Sequence, residues 1–102
     1  MLDFILLADA EDDLVEAYSW YEHKEFGLGH RFLNSVQDGL TLIRQHPKIL
    51  FPVCASEFRR ALISKFLFGI IYEKEGDRIV GYSVFNCSQN PQRWKSRILG
   101  HS

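Results

Sequence analysis

The chain has 102 residues, of which 46% are hydrophobic and 25% are charged. This length fits one domain, expected to span residues 1–102, and the composition excludes a disordered chain. The two cysteines, Cys54 and Cys87, are too few for a disulfide scaffold or a zinc site, so we expect free thiols. Apolar runs are shorter than the roughly 18–20 residues of a membrane span, and the first residues lack a leader pattern. We therefore expect a cytoplasmic protein without membrane contact.

Charge is distributed unevenly along the chain, although the formal net charge is only −1. Residues 1–50 contain four Lys/Arg and nine Asp/Glu, whereas residues 51–102 contain eight and four. Such asymmetry indicates a polarised surface whose basic side could meet an anionic partner. Charged faces that happen to segregate are the alternative interpretation.

The first half of the sequence predicts a strand followed by two helices. Phe4–Leu7 is an apolar run typical of a buried strand, and Asp9 is a suitable N-cap for a helix that runs to about Lys24. The apolar face of this helix is predicted to comprise Ala10, Leu14, Ala17, Tyr18 and Tyr21, with Asp13, Glu16 and Ser19 facing away.

A second helix is predicted to follow the glycine break at Gly27–Gly29 and to fold back on the first as a helical hairpin. It should end at His46, because Pro47 disfavours helical geometry in the residue before it. Its apolar stripe is Phe32, Leu33, Val36, Leu40 and Ile43.

The second half of the sequence predicts β-structure. After a loop at Pro47–Pro52, three strands are predicted at Phe58–Ser64, Phe66–Glu73 and Ile79–Phe85, where β-branched and aromatic residues dominate. Gly76 can supply the positive φ of a hairpin turn between the last two strands. Asn90 as N-cap and Pro91 at the first helical position predict a terminal helical turn that ends near Ile98.

Most candidate sites fail on spacing. The acids Asp12, Asp13, Glu16 and Glu22 could be imagined as a metal site with His23 or His30. Asp13 and Glu16 share the solvent face of the helix at i, i+3, but His23 lies a full turn or more further along, so we expect no metal. Neither cysteine lies in a catalytic context, and Gly27–Gly29 lacks the rest of a phosphate-binding loop, so we expect no cofactor.

The basic and amide-rich side chains of the second half form the remaining candidate site. Arginine offers a bidentate fork to phosphate or carboxylate, and an aromatic neighbour adds stacking. Alternatively, the arginines only border the sheet, and Trp94 only packs the C-terminal turn on the core. The candidate set is Arg59, Arg60, Lys65, Arg78, Asn86, Gln89, Asn90, Arg93, Trp94, Lys95 and Arg97.

Several segments occur in a recognisable order: Ala10–Ala17, Trp20–Glu22, Gly27–Leu33, His46–Pro47, Phe58–Leu62, Lys65–Tyr72, Asp77–Val80 and Asn90–Trp94. In this order they resemble the RelE/ParE superfamily of bacterial type II toxins, nearer to ParE-like plasmid-stabilisation proteins. The resemblance implies an α+β domain of β-α-α-β-β-β order, with the helical hairpin covering an antiparallel sheet. It also implies a cognate antitoxin that lays an extended or helical segment across the sheet and hairpin.

The same resemblance implies two modes of action. ParE-like members poison DNA gyrase by binding, and RelE-like members cut messenger RNA in the ribosome with basic residues and a general base. Relatives tend to carry His at the position of Asn86 and Arg at that of Gln89, and an amide can neither relay a proton nor stabilise a phosphate charge. These departures weaken the ribonuclease interpretation.

We therefore expect a ParE-like toxin that binds gyrase through Arg60, Asn86, Gln89, Arg93, Trp94 and Arg97. The alternative is a ribosome-dependent endonuclease, for which the candidate catalytic residues are Arg59, Arg60, Lys65 and Arg93. A degenerate member that retains antitoxin binding but not toxicity is the third interpretation.

Overall fold

The computed structural model describes residues 3–46, 51–52, 58–63, 66, 68–87 and 92–99. Its elements are, in chain order, β1 (Asp3–Leu6), α1 (Ala8–Lys24), α2 (Leu28–Gln45), β2 (Phe51–Pro52), β3 (Phe58–Ile63), β4 (Phe68–Glu75), β5 (Arg78–Asn86) and α3 (Gln92–Leu99). The predicted α+β order is confirmed. The predicted terminal turn is a helix of eight residues, and its proposed caps, Asn90 and Pro91, lie outside the described residues.

The five strands form one sheet in the order β1-β5-β4-β3-β2. The predicted antiparallel meander of β3, β4 and β5 is confirmed. The expectation of a wholly antiparallel sheet is wrong at one edge, because β1 pairs with β5 in parallel, with Phe4 opposite Ile79. The helical hairpin separates β1 from the meander in sequence, so β1 is not held by a tight turn and can lie beside the last strand in the same direction.

The opposite edge of the sheet is formed by β2, within a segment predicted to be a loop. Phe51 pairs with Arg60 and Pro52 with Arg59 in antiparallel register. Proline has no N–H to donate, so it is tolerated in a strand that has a neighbour on one side only. Because the strand has only two residues, it shows no alternating pattern from which it could be predicted.

The junction of β1 and α1 differs from the prediction. The helix begins at Ala8 with Leu7 in extended conformation, and no side chain caps it. The carbonyl of Leu7 accepts a hydrogen bond from the N–H of Glu11 at 3.0 Å. Asp9 therefore lies inside the first turn, where its negative charge still complements the positive end of the helix dipole.

Glu22 joins the two helices of the hairpin. Its carboxylate accepts hydrogen bonds from the backbone N–H of Gly27 at 3.1 Å and of Gly29 at 2.9 Å. The bond from Gly27, followed by that from Gly29, lowers the pKa of Glu22. Gly27 is the N-cap of α2 with φ +87 and has no side chain to offer the free amides. The carboxylate of Glu22 takes the place of that missing cap.

The main core lies between the hairpin and one face of the sheet. Phe32 is fully buried there, and its ring centroid lies 5.0 Å from Tyr21, 5.2 Å from Phe68 and 5.3 Å from Phe66. The predicted apolar faces of both helices are confirmed as buried or half-buried. Other buried members of this core are Ala17, Val36, Ile43, Ala61, Ile63, Ile70, Tyr72, Ile79 and Val84.

Asp13 contradicts its predicted orientation toward solvent. Its Oδ2 accepts a hydrogen bond from the backbone N–H of Val84 at 3.0 Å and from the hydroxyl of Ser83 at 3.3 Å. Pairing between β1 and β5 ends at Leu6 and Gly81. The carboxylate thus satisfies a β5 amide at a point where the neighbouring strand has stopped.

The turn between β4 and β5 is tighter than predicted, because the two strands extend to Glu75 and Arg78. Gly76 adopts φ +64, so the predicted left-handed position is confirmed. Further along this pair the register shifts between Ile71 and Tyr72. The shift is a bulge, which bends and twists the strands locally.

Candidate functional site

The second face of the sheet carries a smaller core under α3. Val80 and Tyr82 of β5 and Ile71 of β4 pack there against Trp94 and Ile98 of α3. The last two are four residues apart and therefore share one face of the helix. We call this side of the sheet the α3 face.

Trp94 contributes packing to that face. Its side chain is only 6% exposed, and its ring centroid lies 5.6 Å from that of Phe85. Phe85 in turn leans over Gly69, where an added Cβ would lie 2.6 Å from the ring. The indole therefore has almost no surface to offer a target while α3 is docked, and its position favours the packing interpretation.

Arg59 and Arg60 lie on opposite faces of the sheet. Ala61 and Ile63 are in the hairpin-side core, and side chains alternate along a strand, so Arg59 shares the hairpin face and Arg60 the α3 face. Arg59 pairs with Tyr72; burial raises the pKa of this tyrosine to about 12, and the charge of Arg59 opposes the shift. Two adjacent arginines on opposite faces cannot hold one phosphate together.

Arg60 is flanked by apolar side chains on the α3 face. We name Phe58, Arg60 and Leu62 the β3 stripe, because they alternate along β3 with the buried residues of the opposite face. Leu62 is 59% exposed, and Phe58 packs its ring edge-on against Tyr82 at 4.9 Å. The Nε of Arg60 is buried and has no hydrogen-bond partner within the described part of the chain.

Tyr82 and Glu73 lie beside the stripe and bind each other. The hydroxyl of Tyr82 donates to Oε1 of Glu73 at 3.1 Å. Burial and then this hydrogen bond raise the pKa of Tyr82 to about 12. The phenol is therefore neutral at pH 7 and acts as a donor, not as a base.

The structure describes the remaining candidates only in part. Asn86 pairs with Phe68, whose ring belongs to the hairpin-side core. Arg93 and Arg97 lie four residues apart on α3, with side chains outside the described residues. Lys65 and Gln89 lie outside the described residues altogether.

Sequence reasoning missed the apolar members of the β3 stripe. Phe58 and Leu62 stand at positions two residues from Arg60 on either side, so alternation signals that all three share a face. Which of the two sheet faces is exposed to solvent depends on where the hairpin packs, and no local sequence pattern indicates that position. It also missed Phe26 in the hairpin loop, which is 95% exposed.

Among the described residues no three or more His, Cys, Asp or Glu side chains come together as metal ligands would. Within the same residues, no helix has the length and apolar character needed to traverse a bilayer.

Comparison with known proteins identifies the fold. No protein-family model matches the chain, and neither does any curated protein. Among solved structures, the chain is similar to a chain of the chromosomal ParDE TA system from P. aeruginosa, with a TM-score of 0.62 and 16% identity. The similarity covers 84% of this chain and 96% of that one. This chain therefore shares the fold of that ParDE-system chain, in agreement with the fold that its ordered sequence segments predicted.

Proposed function

We propose that the chain is the toxin of a type II toxin–antitoxin pair, acting in the cytoplasm and held inactive by a cognate antitoxin. The observation that carries this proposal is the match over nearly the whole length of a chain from a ParDE system. Fold alone does not define function, but the ordered sequence segments point to the same group of proteins independently.

We propose DNA gyrase as the first target to test, with action by binding. Cleavage of RNA needs a general base and clustered cations at the scissile phosphate. Arg59 and Arg60 are divided between two faces, and the Tyr82 phenol is neutral and bound to Glu73. Asn86 cannot act as a base. These features favour a toxin that inhibits a protein over one that cuts RNA.

The RelE-like alternative draws support from Arg60. This residue is half-buried on the α3 face, and a guanidinium group can bind a phosphate. A ribosome-dependent endonuclease would use it with Lys65 and Arg93, and a degenerate toxin would retain only antitoxin binding.

The test begins with expression of the chain alone and together with the product of the adjacent reading frame. We expect growth arrest that co-expression relieves. Purified chain is then assayed for inhibition of gyrase supercoiling and for cleavage of messenger RNA on programmed ribosomes. Supercoiling inhibition without cleavage supports the proposal, and cleavage with normal supercoiling replaces it with the RelE-like alternative. Antitoxin binding without either effect identifies a degenerate member.

The double variant Arg60→Ala/Arg93→Ala tests whether the predicted surface carries the target contact. We expect the action on the target to fall by at least about tenfold, as for the loss of charge-assisted contacts worth ~1.5–3 kcal/mol. Thermal unfolding should remain close to that of the parent chain. A control is Arg31→Ala, which removes an exposed cation near the start of α2. Equal losses in both variants would attribute the effect to net charge.

A further inference from the structure

We infer that the chain forms a weak symmetric dimer through β1, in which the β1 strands of two copies pair in antiparallel orientation about a two-fold axis at Ile5. This pairing joins the two sheets into one continuous sheet, because β1 is an edge strand of each. The inference goes beyond the proposed function and does not depend on it.

The two edges of the sheet differ in how well they are protected against pairing. One edge is β2, which has two residues, and its Pro52 cannot donate a ladder hydrogen bond. The other edge is β1, which has four residues and only β5 as its neighbour among the described strands. Proteins usually protect an exposed edge with a proline, a lysine, a bulge or a very short strand. Residues 3–6 contain no proline or lysine, and their register with β5 is unbroken. The edge at β1 is therefore the one that is open to another strand.

The backbone groups on the open side of β1 belong to Phe4 and Leu6. The N–H of Leu7 donates to the carbonyl of Gly81 at 3.0 Å, so the backbone groups of Leu7 point toward β5. Successive residues of a strand point these groups to opposite sides in the plane of the sheet. Those of Ile5 therefore also face β5, whereas Phe4 and Leu6 each direct one N–H and one C=O to the open edge.

This edge is complementary to itself. In an antiparallel pair, two residues that lie opposite each other can exchange both of their hydrogen bonds. When Phe4 lies opposite Leu6 of a second copy, the two-fold symmetry also places Leu6 opposite Phe4 of that copy. All the outward backbone groups of both residues are then paired. A second copy of this chain therefore matches the edge without any further segment.

The side chains match at the same register. Phe4 packs against the hairpin-side core and Leu7 against the smaller core under α3, so alternation places Ile5 on the α3 face. There Ile5 is 40% exposed. In the dimer it lies opposite its own copy, in the closely spaced position where the Cα atoms are about 4.5 Å apart. Phe4 lies opposite Leu6 on the other face, and such apolar cross-strand pairs stabilise a sheet.

Charge permits this pairing, and the length of the edge limits its strength. Asp3 is the one charged residue of β1, and the antiparallel register separates its two copies by about 13 Å along the strands. This distance exceeds the screening length of about 8 Å at physiological salt. Small interfaces are typical of transient association. We therefore expect a dissociation constant of about 10⁻⁵–10⁻³ M.

The main experiment uses the axis at Ile5, which places any substituted residue opposite itself. Sedimentation equilibrium of the full chain from about 10 µM to about 1 mM should show a monomer–dimer equilibrium. Ile5→Lys and Ile5→Glu should each weaken the dimer at least about tenfold, because like charges then lie opposite each other. An equimolar mixture of the two variants should recover a dimer that contains one copy of each. The control is Val15→Lys on α1, which changes another exposed apolar residue and should dimerise as the parent chain does.

Cross-linking tests the register without relying on a loss of binding. Ile5→Cys in a background of Cys54→Ser and Cys87→Ser should form a disulfide-linked dimer on mild oxidation, because a Cα separation of about 4.5 Å suits a disulfide. Asp3→Cys in the same background should stay monomeric, since its copies lie too far apart. Thermal unfolding shows whether each variant keeps the fold of the parent chain.

Three results overturn the inference. The first is a chain that stays monomeric at about 1 mM, which leaves the edge to a strand of another protein. The second is a dimer that persists unchanged in both Ile5→Lys and Ile5→Glu, which places the interface elsewhere. The third is a faster cross-link through Asp3→Cys than through Ile5→Cys, which contradicts the two-fold axis at Ile5.

Discussion

The two faces of the sheet are built differently. The hairpin face is covered by two helices of 17 and 18 residues that bury a cluster of aromatic rings around Phe32. The α3 face is covered by one helix of eight residues and leaves Leu62 exposed beside Arg60, whose Nε has no hydrogen-bond partner among the described residues. The difference shows that the hairpin face contains the main core, whereas the α3 face leaves an apolar side chain open to contact.

The largest expected effect is the loss of stability when one aromatic residue is truncated on each face of the sheet. Phe32→Ala should destabilise the chain by about 3–5 kcal/mol, because it opens a cavity at the centre of the main core. Trp94→Ala should cost only about 1–3 kcal/mol, since undocking of a terminal helix leaves the main core intact. Denaturant unfolding gives both values. Equal losses, with α3 amides unchanged in hydrogen exchange, would contradict a division between the faces.

The next prediction concerns two glycines of α2 that should respond with opposite signs. At Gly29 an added Cβ would lie 2.8 Å from the ring of Tyr18 and 2.9 Å from Glu22, so Gly29→Ala should cost about 1–3 kcal/mol. At Gly39 an added Cβ meets nothing within 4 Å. Gly39→Ala should therefore stabilise the chain by about 0.5–1 kcal/mol through helix propensity. Thermal unfolding of both variants measures the contrast, and a stabilising Gly29→Ala would show that the hairpin crossing is loosely packed.

A smaller effect is expected from Tyr82→Phe on the α3 face. Loss of the hydrogen bond to Glu73 should cost about 0.5–1.5 kcal/mol at neutral pH. The folded-state pKa of about 12 lies above the ordinary value of 10. The unfolded chain therefore ionises first, and the stability from this neutral phenol is present below pH 10 and lost as the pH rises through 12. The free energy of unfolding, measured from pH 8 to 11, should decline less steeply with pH in Tyr82→Phe than in the parent chain. Identical slopes in the two chains would contradict the burial of this phenol.

The smallest expected effect is the loss at low pH of the stability that Glu22 gives to the helical hairpin. The folded-state pKa of Glu22 is lowered by its bonds to Gly27 and Gly29. Its contribution is therefore present above the unfolded-state pKa near 4.5 and is lost as the pH falls through the lower folded value. Glu22→Gln should be less stable than the parent chain at pH 7, and its free energy of unfolding should fall less on acidification. Stability measured at pH 7 and pH 3 tests this, with Glu11→Gln on the exposed side of α1 as control.

Sequence patterns predicted the elements of the hairpin face well, because helix periodicity and the glycine and proline breaks are local signals. They failed where contacts between residues distant in sequence determine the structure. Asp13 reads as a solvent residue on its helix, and only the end of β1 pairing at Gly81 gives it an amide to bind. The parallel placement of β1 beside β5 likewise depends on the whole topology.

Sequence reasoning chose the candidate residues by their chemistry and not by their positions in the fold. Arg60 was identified as a surface cation from its chemistry, but Arg59 beside it was not separated from it, since strand register decides which of the two shares a face with α3. Trp94 was open to both a binding and a packing interpretation until its burial was known. Leu62 carries no polar group, so it attracts notice only once its exposure is seen.

Hydroxyl-radical footprinting with the adjacent gene product tests the division between the faces most directly. Side-chain oxidation of Leu62 and Phe58 is measured in the free chain and in the mixture, with the 95% exposed Phe26 as an internal reference. We predict that the partner slows oxidation of Leu62 and Phe58 severalfold. Unchanged oxidation of both side chains in a formed complex would contradict the expectation that the antitoxin lies across the sheet.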